Sequence, residues 1–243
     1  MTVVPPPNAP PRPTPWAVRL RRAPVTFGVI IATVAVYVGG SLVGFEQVLE
    51  FGAKDNVSIL AGQVCQPGVE EDRGVNMYSL FALGPPVERF FGAPRMLALY
   101  LLSGISGVVF SLAFNPYPSV GASGAIFGLL GALAMFLYLH RGLFGAAGGM
   151  QLRQLIIVGA LNLVYSAANP GIDLWGHIGG LLAGAACAAY FGPRLAPEVI
   201  LGVPSGLTDE RPWPEVAPRV VVAALAVGAT AIAAMMVAAG VGG

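Results

Sequence analysis

Ser123 is the first of two polar residues that stand out in apolar stretches of this sequence and could do chemistry. It follows a loop that Pro116 and Pro118 force to turn, and we expect it in the first turn of the next helix. The first N–H groups of a helix have no partner inside it and favour negative charge nearby. A serine hydroxyl at such a place can act as a nucleophile beside half of an oxyanion hole.

His177 is the second candidate, near the start of a later predicted helix. A titratable side chain in a membrane span is costly, so it is treated as functional by default. An imidazole close to a serine can serve as its general base. Two other interpretations stay open: Ser123 as a small packing residue bonded to a backbone carbonyl, and His177 as the proton relay of a small transporter or channel.

The composition indicates that a membrane surrounds both residues. Among 243 residues, 56% are hydrophobic and only 10% are charged, with a mean hydropathy of +0.74. So few charges cannot solvate the exterior of a water-soluble protein of this size, for which about 25% is ordinary. The net charge of +1 gives no reason to expect nucleic-acid binding. Cys65 and Cys187 are too far apart to indicate a zinc site or a disulfide framework.

Apolar runs predict seven spans in an all-α, polytopic membrane helix bundle. We expect them at residues 25–45, 75–87, 96–114, 121–139, 151–168, 172–190 and 220–241. The second run would cover only about 20 Å of a bilayer core of about 30 Å. The predicted organisation is a disordered proline-rich tail (1–22), a membrane core (23–192), and a linker with a C-terminal transmembrane helix (193–243).

Loop charges predict the orientation of the bundle. With seven spans, eleven arginines fall on one side, whereas only Lys54 and Arg73 fall on the other. Basic loops stay in the cytoplasm, so we expect a multi-pass protein of the cell membrane with a cytoplasmic N-terminus. The fourth and sixth spans then run parallel, with Ser123 and His177 at similar depth. Glycines at every fourth position of the sixth span, Gly176, Gly180 and Gly184, would let the two helices approach closely.

These motifs resemble those of the rhomboid intramembrane serine proteases. The segment from Gly121 through Ser123 to Gly128 is similar to the nucleophile motif of that family, and the segment from Asp173 to Gly180 is similar to its histidine motif. Residues 76–89 resemble the second core helix of the family. The resemblance runs from the first to the sixth span and implies a rhomboid-like six-helix core plus one C-terminal helix.

The resemblance also implies the chemistry. Ser123 would attack the scissile carbonyl, and His177 would act as general base and then as acid. The backbone N–H of Ser123 and the side chain of Asn76 would bind the oxyanion, and Phe127 would lie against the histidine ring. Substrates would be single-span membrane proteins in the lipid bilayer, cleaved near its outer face where helix-weakening residues expose the backbone, and no metal, nucleotide or organic cofactor is implied. Asp173 is interpreted as a helix N-cap, because aspartate is favoured there.

One departure from the family pattern favours a second function. Asp72 stands four residues before Asn76, where the family has a histidine that assists the oxyanion hole, and a carboxylate there would oppose the oxyanion. The preceding segment, residues 62–74, is short and acidic and lacks the Trp-Arg motif of the family, through divergence or a sequence error. The alternative is therefore a catalytically impaired relative that binds membrane helices without cleaving them.

Overall fold

The computed structural model describes residues 23–43, 71–115, 119, 122–200 and 203–238, and within this part seven helices and one β-hairpin are present. The helices are α1 Pro24–Val43, α2 Glu71–Phe91, α3 Ala93–Phe114, α4 Ser123–Leu139, α5 Arg141–Ala168, α6 Leu174–Phe191 and α7 Trp213–Ala238. Each predicted span has its helix. The predicted tail and the segment 62–70 lie outside the described residues.

Four of these helices, α3, α5, α6 and α7, are long and apolar enough to cross a membrane by length and composition. Residues 24–35 of α1 and all of α4 are apolar but shorter. These helices make the chain a multi-pass membrane protein with a helix-bundle fold.

The second span is longer than its apolar run predicts. Helix α2 has 21 residues and contains Pro85 and Pro86, whereas the expected span had only about 20 Å of length. The apolar run underestimates the length of the helix because the charged residue Glu88 ends the run but lies on the buried face of the helix. The carboxylate of Glu88 is 5% exposed and accepts hydrogen bonds from the backbone N–H groups of Val25 (2.8 Å) and Thr26 (2.7 Å) and from the Thr26 hydroxyl (2.7 Å). It thereby satisfies donors at the N-terminus of α1.

The two ends of the bundle are built differently. We call the end where α4 and α6 begin the serine end, and the opposite end, which carries the β-hairpin, the hairpin end. Strands β1 Leu195–Ile200 and β2 Val203–Asp209 pair antiparallel, with a bulge between Glu198 and Val199. This hairpin was not predicted, because the segment was interpreted as a linker.

A buried arginine clamps the hairpin to α3. Arg95 is 5% exposed, and its Nη1 donates to Asp209 Oδ2 at 2.8 Å, while its Nη2 donates to the carbonyl of Arg211. The other oxygen of Asp209 accepts the backbone N–H groups of Arg194 (2.9 Å) and Arg211 (3.0 Å). One ion pair with these charge-assisted bonds holds the base of the hairpin against the bundle.

His140, the C-cap residue that follows α4, also belongs to the hairpin end. Its Nδ1 lies 2.8 Å from the carbonyl of Phe136, and its Nε2 accepts the backbone N–H of Leu195 at 3.0 Å. Both ring nitrogens therefore contact backbone groups. No local sequence pattern indicates this contact, since Leu195 lies 55 residues after His140 in the chain.

Candidate active site

Ser123 is the first residue of α4, two residues later than the predicted helix start at Gly121. The first hydrogen bond of the helix runs from the N–H of Ile126 to the carbonyl of Ala122 at 3.1 Å. The N–H groups of the first turn, including that of Ser123, precede this bond and have no partner in the ladder. The serine thus lies where the sequence predicts it, at a helix N-terminus that favours negative charge.

His177 is the fourth residue of α6 and is 7% exposed. Its ring stacks on Phe127 of α4, with centroids 4.2 Å apart and an angle of 13° between the planes. Phe127 lies one turn after Ser123, so the stacked pair joins the second turn of α4 to the first turn of α6. The predicted contact between Phe127 and the histidine ring is confirmed.

Glycines bring the backbones of α4 and α6 into contact at this level. A Cβ on Gly124 would lie 3.2 Å from the carbonyl oxygen of Gly176, and a Cβ on Gly180 would overlap the carbonyl of Gly124. Gly107 of α3 joins them, because its Cβ would lie 2.8 Å from the same Gly176 oxygen. The close approach predicted from the glycine spacing is confirmed, and it occurs beside Ser123 and His177.

Asp173 holds the loop before Ser123 and the start of α6 together. Its Oδ1 accepts the N–H of Gly176 at 3.0 Å, which confirms the predicted N-cap, and its Oδ2 accepts the hydroxyl of Ser119 at 2.6 Å. Burial raises the pKa of Asp173, but hydrogen bonds from neighbours that include Ser111, Ser119 and Gly176 outweigh it and leave the pKa below its ordinary value. The carboxylate is therefore charged at neutral pH.

Asn76 lies in the second turn of α2 and is half-buried. Its position along α2 can be compared with that of Ser123 along α4 from a contact near the C-terminal ends of both helices. There the ring centroids of Phe90 and Phe136 are 4.9 Å apart. Ser123 precedes Phe136 by about 20 Å along α4, and Asn76 precedes Phe90 by about 21 Å along α2, at the usual rise per residue. Asn76 and Ser123 therefore precede the contact of the two rings by nearly the same length of helix. The oxyanion role of Asn76 stays a prediction, and the side chain of Asp72 lies outside the described part of the structure.

Ser166 is a site residue that the sequence analysis missed. It belongs to the last turn of α5, is 4% exposed, and its Oγ lies 3.0 Å from Nδ1 of His177. A serine near the end of an apolar helix has no distinguishing signal, and the contact depends on how α5 crosses α6. Among the described residues no hydrogen bond joins Ser123 to His177, whose one hydrogen-bonded ring nitrogen is the Nδ1 that Ser166 contacts. The Ser123–His177 dyad therefore stays a prediction.

An apolar cleft of about 460 Å³ lies between α4, α5 and α6, and neither Ser123 nor His177 lines it. Leu130, Tyr138, Leu163 and Leu182 contribute to its lining. It contains no titratable group apart from the tyrosine, so it does not compete with the serine end as a site of acid-base chemistry. No cluster of His, Cys, Asp or Glu that could hold a metal ion occurs within the described residues.

Comparison with known proteins gives the family of this arrangement. Residues 74–194 match the model of the rhomboid domain. The chain is 38% identical over 180 residues to the rhomboid protease GluP of Bacillus subtilis. This alignment covers 68% of this chain and 35% of GluP. It is 40% identical over 110 residues to RHOMBOID-like protein 1 of Arabidopsis thaliana, in an alignment that covers 45% of this chain and 28% of that protein.

A third relative is the putative rhomboid protease YdcA of Bacillus subtilis, 34% identical over 111 residues, with 45% of this chain and 54% of YdcA covered. The chain spans about a third of the length of GluP and of RHOMBOID-like protein 1. The rhomboid-domain match at 74–194 contains most of α2 and all of α3 to α6, and with them Ser123, His177 and the glycine contacts. Residues 74–194 form a rhomboid domain, and through this domain the chain belongs to the rhomboid family.

Proposed function

We propose that this protein is an intramembrane serine endopeptidase that uses Ser123 and His177 as a catalytic dyad. The proposal rests on one observation above all: α4 and α6 are in backbone contact at Gly124, Gly176 and Gly180, with the His177 ring stacked one turn beyond Ser123. Nδ1 of His177 is engaged by Ser166, so Nε2 is the nitrogen that can meet the serine hydroxyl. A serine next to an imidazole is the minimal arrangement for acyl transfer.

The proposed reaction has two halves. Ser123 Oγ forms a bond to the scissile carbonyl carbon as its proton moves to His177 Nε2, and that proton then passes to the leaving amine as the C–N bond breaks. Water attacks the resulting ester with His177 again as base, which restores the serine and releases the second product. The N–H of Ser123 and the amide of Asn76 would stabilise the oxyanion in both halves.

The substrate we propose is a single-span membrane protein. The serine end lies at the termini of spanning helices, so a substrate must present its scissile bond close to the membrane surface. With the eleven arginines in the cytoplasm, the serine end faces the outside of the cell membrane. The reaction needs only side chains and water, and no cofactor is part of the proposal.

Cleavage of a reporter tests the proposal. The purified protein is reconstituted in vesicles with a reporter that has one membrane helix, and the fragments are identified by mass spectrometry. We expect one cut near the outer end of the reporter helix, full activity in Ser103→Ala, and none in Ser123→Ala. Ser103 is a suitable control because it is fully buried in α3, and its hydroxyl has no hydrogen-bond partner in the described part of the chain. A folded wild type that cuts no reporter would contradict the proposal.

Asp72 favours a second candidate, a rhomboid-like protein that binds membrane helices with little or no cleavage. A carboxylate beside the oxyanion would oppose the charge that Asn76 is proposed to stabilise. Loss of one oxyanion donor costs on the order of 10²–10³ in rate. The Asp72→His variant separates the two functions: a rise in the cleavage rate means that the position faces the oxyanion, and an unchanged rate removes the reason for the second candidate.

A further inference from the structure

Ser166 is buried on a helix that is otherwise largely exposed. Its neighbours Tyr165, Ala167 and Ala168 are exposed, whereas Ser166 itself is 4% exposed and points at the ring of His177. Most other residues of α5 are exposed or half-buried, and Gly159, two turns earlier on the same face, is also buried and packs against Leu130. The buried polar contact with His177 is therefore a specific feature of this end of the helix.

The hydrogen bonds around Ser166 determine which histidine nitrogen carries the proton. Ser166 Oγ lies 2.8 Å from the carbonyl oxygen of Asn162, one turn earlier, and 3.0 Å from His177 Nδ1. A carbonyl can only accept, and a serine hydroxyl has one hydrogen to donate. If that hydrogen goes to Asn162, the oxygen must accept from Nδ1–H, and the lone pair of the neutral ring is then on Nε2.

We propose that Ser166 is a positioning residue that holds His177 in the Nδ1–H tautomer and fixes the orientation of its ring. This inference rests on the proposed function, because only the Nε2 lone pair can take the proton of Ser123. Phe127 fixes the plane of the ring by stacking, and Ser166 fixes its rotation within that plane. Ser166 therefore takes the place that a carboxylate has in a catalytic triad, without the negative charge.

Asp173, the N-cap of the helix that carries His177, does not take this role. Its carboxylate accepts hydrogen bonds from the N–H of Gly176 and the hydroxyl of Ser119. A neutral partner orients the ring but stabilises the imidazolium less than a carboxylate would. We therefore expect the loss of Ser166 to cost less than loss of the acid in a triad, about 10-fold to 100-fold in kcat, as for other groups that orient a catalytic ligand.

The first test compares variants of Ser166 in the reporter assay. Ser166→Ala should lower kcat by about 10-fold to 100-fold with little change in KM, since ring orientation affects the chemical step. Ser166→Thr should restore most of the rate, because a threonine hydroxyl in a helix bonds to the same i−4 carbonyl. Ser103→Ala is the matched control for loss of a buried serine hydroxyl. An unchanged kcat in Ser166→Ala, or an equal loss in Ser103→Ala, would overturn the proposal.

The second test reads the tautomer directly and needs no activity measurement. The chain has two histidines, so ¹⁵N labelling of histidine gives two rings to assign by NMR. His177 should show a protonated Nδ1 and an unprotonated Nε2, and Ser166→Ala should shift it toward the other tautomer while His140 stays unchanged. A wild-type His177 protonated on Nε2 refutes the role of Ser166. A correct tautomer in a protein that cleaves nothing refutes the proposed function instead, so the two failures are distinguishable.

Discussion

The two histidines of this protein lie at opposite ends of the bundle, and their surroundings differ in one decisive respect. Both rings pack on a phenylalanine of α4: His177 on Phe127 at 4.2 Å, and His140 on Phe136 at 4.4 Å. Both nitrogens of His140 contact backbone groups, whereas Nδ1 of His177 contacts the side chain of Ser166. A ring with both nitrogens held by the backbone is a structural element, and one held on a single side is available for chemistry.

The helices also contact each other differently at the two ends of the bundle, through side chains at one end and through backbones at the other. At the hairpin end, Phe90, Phe91 and Phe136 pack as large side chains around a buried core. At the serine end, Gly107, Gly124 and Gly176 bring three backbones together. Side chains can adjust to a substitution, but backbones in contact cannot, so the geometry at the serine end is fixed more tightly by sequence.

The largest expected effect separates the histidines by activity. His177→Ala should reduce reporter cleavage by on the order of 10⁴-fold or more, because the proposed general base is lost. His140→Ala, measured per folded molecule, should stay within a few-fold of wild type. Equal loss of activity in the two variants, with both still folded, would contradict the assignment of His140 as structural and His177 as the base.

The glycine contacts give the next largest effect. Gly180→Ala inserts a methyl group against the carbonyl of Gly124, whereas Gly184→Ala does so one turn deeper, against Gly128. Each should cost about 1–3 kcal/mol of unfolding free energy, the usual cost of overpacking. Of the two, Gly180→Ala should lose more activity, since it lies beside the candidate site. Unfolding in mixed micelles and reporter cleavage measure the pair, and equal activity of the two variants would argue against a locally fixed site.

The variant His140→Phe tests whether His140 stabilises the hairpin through its hydrogen bond with Leu195. The variant keeps an aromatic ring against Phe136 but leaves the backbone N–H of Leu195 without its acceptor. An unpaired donor of this kind costs about 1–3 kcal/mol when buried. The thermal midpoint should fall, and limited proteolysis should cut the hairpin earlier. A hairpin as resistant as in the wild type would mean that Arg95 and Asp209 hold it without the histidine.

The smallest expected effect concerns acid stability. Because the pKa of Asp173 is lowered in the folded protein, its contribution to stability is present above its unfolded pKa of about 3.8 and is lost as pH falls through the lower folded value. Asp173→Asn keeps an N-capping side chain but removes this titration. The thermal midpoint of the variant should therefore depend less on pH below about 4 than that of the wild type. An identical pH dependence would show that the carboxylate is not stabilised by its neighbours.

Much of the fold could be predicted from the sequence, because the apolar runs and the glycine spacing are local signals. The helix of every span, the N-cap at Asp173 and the contact of Phe127 with His177 were all foreseen. Helix α2 was predicted too short, since tertiary contacts of Glu88 and the packing of its core face set its length rather than its hydropathy.

The hairpin and Ser166 could not be predicted for a related reason. The hairpin depends on Arg95, which lies more than a hundred residues before Asp209 in the chain. The contact of Ser166 with His177 depends on the crossing of two helices, and a serine at the end of an apolar helix looks like any other. Sequence patterns identify groups whose surroundings are local, and they miss partners that only the packing brings together.

The most direct test of the Ser123–His177 dyad is covalent labelling with a fluorophosphonate probe, mapped by mass spectrometry. A hydroxyl reacts with this probe only when a base activates it, so the adduct reports the dyad without a substrate. We predict a single adduct on Ser123 in the wild type and in Ser103→Ala, and none in His177→Ala. An adduct on another serine, or equal labelling of Ser123 in the absence of the histidine, would contradict the dyad.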